Sequence, residues 1–593
     1  MSRGRGSGPS LVGASGRSYF FPDIRLADVG RQSPRRHVLP EPIMRLATIA
    51  ALALFAPSLA HAQEEPAGLP EGGIPVESQL VRERCAGCHL TDGTGRMSRI
   101  SYMRKTPEGW QTTIRRMVML NGVELEPATA RDMVRYLSNN HGIAPEEVRP
   151  GLFEVERRLI DYDYTADDDT EATCIACHSM GRVITQRRTG EEWELLMATH
   201  RGLYPLSDFQ ALTRGGRSED GYAMDRAVDH LSEVFPLETP EWSAWSATMR
   251  TPRLSGRWAL AGHLPGEGPI YGRVDIAPGA GPDGVETRTT YTVARSGREV
   301  TRTGSAIIYT GFQWRGRSFE GPGEEGELRE VMLIERDWQE MSGRWFTGAY
   351  DEFGPDVALS RVTGGPLVSG IHPKAVKAGE STVVTLYGAA LPDGLSAADL
   401  DFGPGVAVSA ITSSSGERAT LRLDVAAGAP EGSRDLFLAG LSLRGALTVF
   451  DEVDRIEVTP QAGMARIGGA AFPKGYQQFE ATAYSDGPDG EANTADDLGL
   501  GVVAAEWSME EYAATLDDSD ISFVGTLDQN GRFTPALDGP NPERVGSRNN
   551  VGDVWVVARY TPPGSTESLQ ARAHLVVTVP LYLRWEPWRV TGG

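Results

Sequence analysis

The sequence predicts a multidomain chain: an all-α N-terminal third, then three all-β domains, first an antiparallel barrel or sandwich and then two further sandwiches. Three observations predict it. Residues 63–249 carry one pattern twice, a paired-cysteine motif followed by segments whose apolar residues recur at helical intervals. From about residue 250 that spacing gives way to period-two alternation between glycine-rich turns. A length of 593 residues also exceeds what one core serves at about 100–150 residues per domain.

Residues 1–62 read as a leader outside the mature protein. Met44-Arg45, the apolar run LATIAALALFAPSLA and Ala60-His61-Ala62 form a charged start, a short apolar core and a cleavage site. This signal, Met44 to Ala62, predicts export to the periplasm. The run is too short to span a bilayer well, and no other stretch could cross one. Residues 1–43 are rich in Arg, Gly and Ser without periodicity. They read as lying upstream of the true start, with a twin-arginine-like leader at Arg35-Arg36 as the alternative. Removing residues 1–62, with their eight arginines and three carboxylates, leaves 50 basic and 77 acidic side chains, a net −27. Such a surface repels nucleic acid and anionic lipid, and suits a basic redox partner, a cationic substrate or simple solubility.

All four cysteines lie in two C-x-x-C-H motifs, Cys85-Ala-Gly-Cys88-His89 and Cys174-Ile-Ala-Cys177-His178. This is the attachment signal of c-type heme: two thioethers to the porphyrin and a histidine ligand to iron. Two disulfides or a zinc pair would leave the histidine after each pair unexplained. The N-terminal third is therefore expected to be an all-α diheme cytochrome c domain with two covalently bound c hemes.

The two heme units form an internal repeat. Thr106-Pro-Glu-Gly-Trp110 matches Thr189-Gly-Glu-Glu-Trp193, and 133–138 matches 227–232. The second copy carries extra loop, ALTRGGRSEDGYA. Six histidines of the mature chain lie outside the motifs: His141, His200, His230, His263, His372 and His574. Aligning the tryptophans sets Met117 opposite His200, so His89/Met117 and His178/His200 are the expected iron ligand pairs. Met119, Met103 and Met97 rival Met117. His230 has Tyr136 as its repeat partner and reads as packing or capping in its helix. His141, before Gly142, reads as a helix C-cap. A His/Met pair holds a higher potential than two histidines, other factors equal. Two six-coordinate irons favour electron relay over heme-centred catalysis.

Beyond residue 250, the runs 285–293 and 306–314 read as strands, and Trp258, Trp314, Trp338 and Trp345 supply core volume for a barrel or sandwich over 250–365. The segment 366–450 begins VSGIHPKAVKAGESTVVTLYG, which looks like an immunoglobulin-like sandwich without a cysteine pair. Residues 451–593 form a second such sandwich, with strands at 555–560 and 574–579. The acidic loop 486–497 is rich enough in oxygen to hold calcium, but its spacing suits solvated Asx turns better.

The order of these pieces resembles the alpha subunit of quinohemoprotein amine dehydrogenase. The likeness rests on the two heme motifs, GWQTTIRRMVMLNG, MVRYLSNNHG, RWALAGHLPGEGPIYG and HPKAVKAGESTVVTLYGAALP. It implies oxidative deamination of primary amines to aldehyde and ammonia by a heterotrimer. A β-propeller subunit and a small subunit carrying cysteine tryptophylquinone would complete it. Electrons would pass from that quinone through both hemes to a soluble acceptor, a small cytochrome c or a copper protein. No catalytic residue for amine oxidation is then expected in this chain. Readings from other classes are a diheme scaffold that docks another dehydrogenase and a diheme peroxidase.

Overall fold

The computed structural model describes residues 69–580 except 71, 153–162, 176–177, 205–216, 219–220, 322, 324, 348–352, 470–472 and 514–518. The signal segment, Cys177 and most of the extra loop lie outside the described residues. The chain divides into two compact units, one made of residues up to 102 and 111–136, the other of 103–110 and everything from 137 onward.

In the N-terminal third the described helices are α1 (Gln79–Cys85), α2 (Pro107–Asn121), α3 (Pro127–Asn140), α4 (Pro145–Val148), α5 (Asp168–Cys174), α6 (Gly181–Ile184), α7 (Gly190–Leu203), α8 (Ala223–Val234) and α9 (Pro240–Thr248). The all-α expectation is corrected by two small strand pairs. The first joins β1 (Met103–Lys105) to β2 (Gln186–Arg188), and the second joins β3 (Arg217–Ser218) to β4 (Gly221–Tyr222). β1 and β2 immediately precede Thr106 and Thr189, whose hydroxyls accept from the Gly109 and Glu192 backbone N–H groups as α2 and α7 begin. The chain must be extended to enter such a cap, and Pro107 also disfavours a helical Thr106.

The β1–β2 register is symmetric in the repeat. Arg104 faces Arg187, its own repeat counterpart, while Met103 faces Arg188 and Lys105 faces Gln186. The same bonds recur on both sides. Lys105 N–H donates to the His141 carbonyl at 3.0 Å, and Arg188 N–H donates to the Phe235 carbonyl at 3.2 Å. Each tryptophan indole donates to the same carbonyl, Trp110 at 2.9 Å and Trp193 at 3.3 Å. Arg104 and Arg187 are both buried and share one carboxylate. Glu147 takes two bonds from Arg104, at 2.8 and 3.0 Å, and lies 3.1 Å from Arg187 Nε. Burial pulls the Glu147 carboxyl upward, but the Arg104 hydrogen bond and both guanidinium charges outweigh it and hold the group below the usual carboxylate range.

The barrel has eight strands: β5 (Gly256–Leu264), β6 (Gly268–Pro278), β7 (Gly284–Val293), β8 (Glu299–Tyr309), β9 (Gln313–Phe319), β10 (Leu328–Ile334), β11 (Glu340–Phe346) and β12 (Asp356–Arg361). Sequential neighbours pair antiparallel and β12 closes on β5, so no edge remains. Trp258, Trp314 and Trp345 fill its core, with Trp338 packed against it. The expected single strand 306–314 is two strands, because Thr310 and Gly311 take φ of 55° and 72° and turn the chain between β8 and β9. That turn meets the end of α3. Thr310 N–H donates to Asn139 at 2.6 Å and Trp245 donates to the Thr310 carbonyl at 2.9 Å. The approach is close enough that a Cβ on Gly142 would lie 3.1 Å from the Thr310 methyl and 2.0 Å from the Ser138 carbonyl.

Two four-stranded sheets follow around one core that includes Val384, Leu386, Leu421, Leu423 and Leu447. The last domain has sheets of three, four and three strands around Phe479, Phe533, Val554 and Leu575. The expected run 555–560 falls in strand Gly552–Tyr560, and 574–579 falls in Leu569–Thr578 except for Val579, which lies one residue past its end. Of the domain's acidic loop, Asp486 and Asp497 pair with the Arg455 guanidinium, which also meets Glu457, while Asp496 accepts from the Thr494 hydroxyl.

Candidate heme sites

Both heme motifs start on the last residue of a seven-residue helix with a capped N-terminus. Ser78 Oγ accepts from Val81 N–H and opens α1, which ends at Cys85. Asp167 accepts from Thr170 N–H and opens α5, which ends at Cys174. The chain then tightens: the Cys88 and His89 N–H groups both donate to the Cys85 carbonyl, at 3.1 and 3.0 Å. One turn therefore carries both thiols and the histidine of the first motif. The sequence reading missed the two caps, although both stand seven residues before the first cysteine of their motif.

The histidines are held in one tautomer. His89 Nδ1 lies 2.8 Å from the Ser98 carbonyl, His178 Nδ1 lies 3.0 Å from the Ser179 carbonyl, and His200 Nδ1 lies 2.9 Å from the Leu196 carbonyl. A carbonyl only accepts, so each Nδ1 carries the proton and each Nε2 presents a lone pair, the form that ligates iron. Burial pushes the His178 imidazole down to about 4, and Arg182 and the His200 ring add to the shift. The structure thus brings His178 and His200 within electrostatic range of each other. Burial likewise keeps the Cys174 thiol protonated, raised to about 12 with Asp167 contributing.

Met117 is half-buried on α2, and its sulfur accepts from Asn121 Nδ2 at 3.7 Å. No described contact couples it to His89. Its rivals differ in setting: Met97 and Met103 are buried, and Met119 is 67% exposed. His141 follows α3 and is fully buried against Trp110. His230 is half-buried on α8 and lies 2.8 Å from the Tyr164 hydroxyl. Leu120 and Leu203, equivalent positions three residues beyond Met117 and His200, are 60% and 45% exposed, and Leu90 after the first motif is 60% exposed. Large apolar side chains left open at the same place in two repeats are surface that a planar macrocycle would cover. The donor set and this apolar wall fit a heme at each motif.

Four family models match the chain. They are quinohemoprotein amine dehydrogenase alpha subunit, haem binding, over 76–242; domain II over 251–362; domain III over 366–451; and domain IV over 456–589. A comparison with curated proteins gives no match. Among solved structures, a redesigned beta barrel is similar at 14% identity, covering 18% of this chain and 91% of that one with a TM-score of 0.16. Tandem Ig repeats of Dlar are similar at 11% identity, covering 36% and 98%, with a TM-score of 0.12. Neither likeness carries weight for fold or function. The heme-binding region followed by three β domains defines a heme-binding subunit of an oxidoreductase. The chain belongs to the family of quinohemoprotein amine dehydrogenase alpha subunits.

Proposed function

We propose that this chain is the electron-transfer subunit of a periplasmic amine dehydrogenase, with two c-type hemes anchored at Cys85/Cys88 and Cys174/Cys177. His89 and Met117 would hold the iron of the first, and His178 and His200 that of the second. Each heme, when bound, supplies one-electron storage. The chain's own residues fix the rest. The capped helices α1 and α5 aim the anchoring turns. The Ser98, Ser179 and Leu196 carbonyls hold the ligating imidazoles in the productive tautomer. Trp193, packed in one core with Ile175 of the second motif, backs that seat.

Amine oxidation belongs, on this reading, to partner subunits: a β-propeller and a small subunit bearing cysteine tryptophylquinone. This chain takes their electrons to a soluble cytochrome or copper protein. The observation that carries the reading is the pair His178 and His200, two half-buried imidazoles within electrostatic range of each other, with both Nδ1 atoms committed to carbonyls. An iron held by both imidazoles would suit relay and would leave no vacancy for peroxide.

The test is purification of the native protein followed by subunit mass analysis and addition of a simple primary amine. Two co-purifying subunits and amine-dependent heme reduction are expected. A lone diheme chain that amines cannot reduce would overturn the assignment in favour of an electron carrier for another dehydrogenase.

A further inference from the structure

The two repeats are latched in the same way, with the partners exchanged. In the first, Tyr136 of α3 reaches the segment before α1, and its phenol oxygen accepts from the Glu77 backbone N–H at 2.6 Å. In the second, the Tyr136 position is taken by His230 of α8. The phenol now comes from the other side, as Tyr164 in the segment before α5, 2.8 Å from His230 Nε2. A latch to a backbone N–H does not titrate near neutrality. An imidazole exchanges its proton between about pH 5 and 8.

We propose that His230 is the proton partner of the second heme: it takes a proton from water when that heme gains an electron and releases it when the electron leaves. This rests on the second motif holding a heme. Three features support it. Tyr164 is 9% exposed and packs in one core with Ile175 of the motif, Trp193 and Met197, with Cys174 against it, so the latch belongs to the wall of the heme seat.

The bond also survives protonation. With a neutral imidazole the phenol donates to Nε2; with a charged one Nε2–H donates to the phenol oxygen. The proton is gained without breaking the contact.

Carboxylates lie around the pair. Asp167 and Glu171 face Tyr164 from α5 and its cap, and Asp167 faces His230 as well. From α7, Arg201 reaches α8 but pairs with Asp225 at 2.7 Å and packs on Tyr222 of β4. On α8 itself, Arg226 lies one turn before the imidazole, and Asp229 and Glu233 flank it in sequence. One further electron in this surrounding strengthens proton binding. One electron and one proton then arrive together, and the net charge of the site is unchanged.

The experiment is a redox titration of the intact complex from about pH 5 to 8, after its heme content per chain has been measured. One midpoint potential is expected to fall as pH rises while the other stays level. His230→Gln keeps a partner for Tyr164 but cannot titrate, and should remove most of that slope. Asp167→Asn keeps the α5 cap but removes the facing charge, and should move the slope to lower pH; it serves if His230→Gln does not fold. A slope unchanged in the variant overturns the proposal. One heme per chain overturns the two-heme reading and this proposal with it, whereas two hemes with level potentials overturn this proposal alone.

Discussion

Exchanging single side chains separates ligands from packing. His200→Met should raise one heme potential and leave the other nearly unchanged, because a thioether ligand favours the ferrous state relative to imidazole; unchanged spectra would remove His200 from the iron. Met117→His should abolish the weak near-infrared charge-transfer band of methionine-bound ferric heme, and a surviving band would point to another methionine. Glu147 tests the buried charges instead. Glu147→Leu strands Arg104 and Arg187 and should cost about 3–5 kcal/mol, read from denaturant midpoints. Replacing all three by apolar residues should recover much of that loss, since the cost lies in unpaired buried charge. The motif cysteines and histidines were legible because their spacing is the chemistry. The Arg104–Glu147–Arg187 cluster was not, because nothing local marks a charge as buried, and its members lie 43 and 40 residues apart in sequence.

Helices were easier to read than short strands. Trp110 and Ile114 recur at helical spacing and both are buried in α2, as that spacing demands. The caps at Thr106 and Thr189 test how far the repeat reaches into energetics. Thr189→Ala should lower stability by about 1 kcal/mol, and Thr106→Ala by a similar amount, in thermal unfolding of the holo protein. Markedly unequal losses would mean that one helix is held mainly by packing. The three-residue strands β1 and β2 left no signal, because neither alternates and each finds its partner 83 residues away. The turn between β8 and β9 was hidden for a different reason: Thr310 is β-branched and normally avoids the left-handed region it occupies there.

At the scale of the molecule, the change from helix to strand near residue 250 was visible in periodicity alone, whereas closure of the barrel was not, since pairing of β12 with β5 joins strands about a hundred residues apart. One joint between barrel and last domain carries a pH dependence. His263 Nε2 lies 2.8 Å from Glu480, and that hydrogen bond raises the His263 imidazole against the opposing effect of burial. Its stabilisation is complete below the ordinary imidazole range near about pH 6.5 and is lost as pH rises through the raised folded value. Melting of the wild type should therefore drop over that window more than melting of His263→Gln; equal slopes would dismiss the joint. The β1–β2 ribbon has a wider consequence. A strand that meets its own counterpart about a central residue makes an isologous contact, the form two identical subunits adopt across a two-fold axis. The lone carboxylate of Glu147, paired with Arg104 and Arg187 alike, is the point at which that local symmetry breaks.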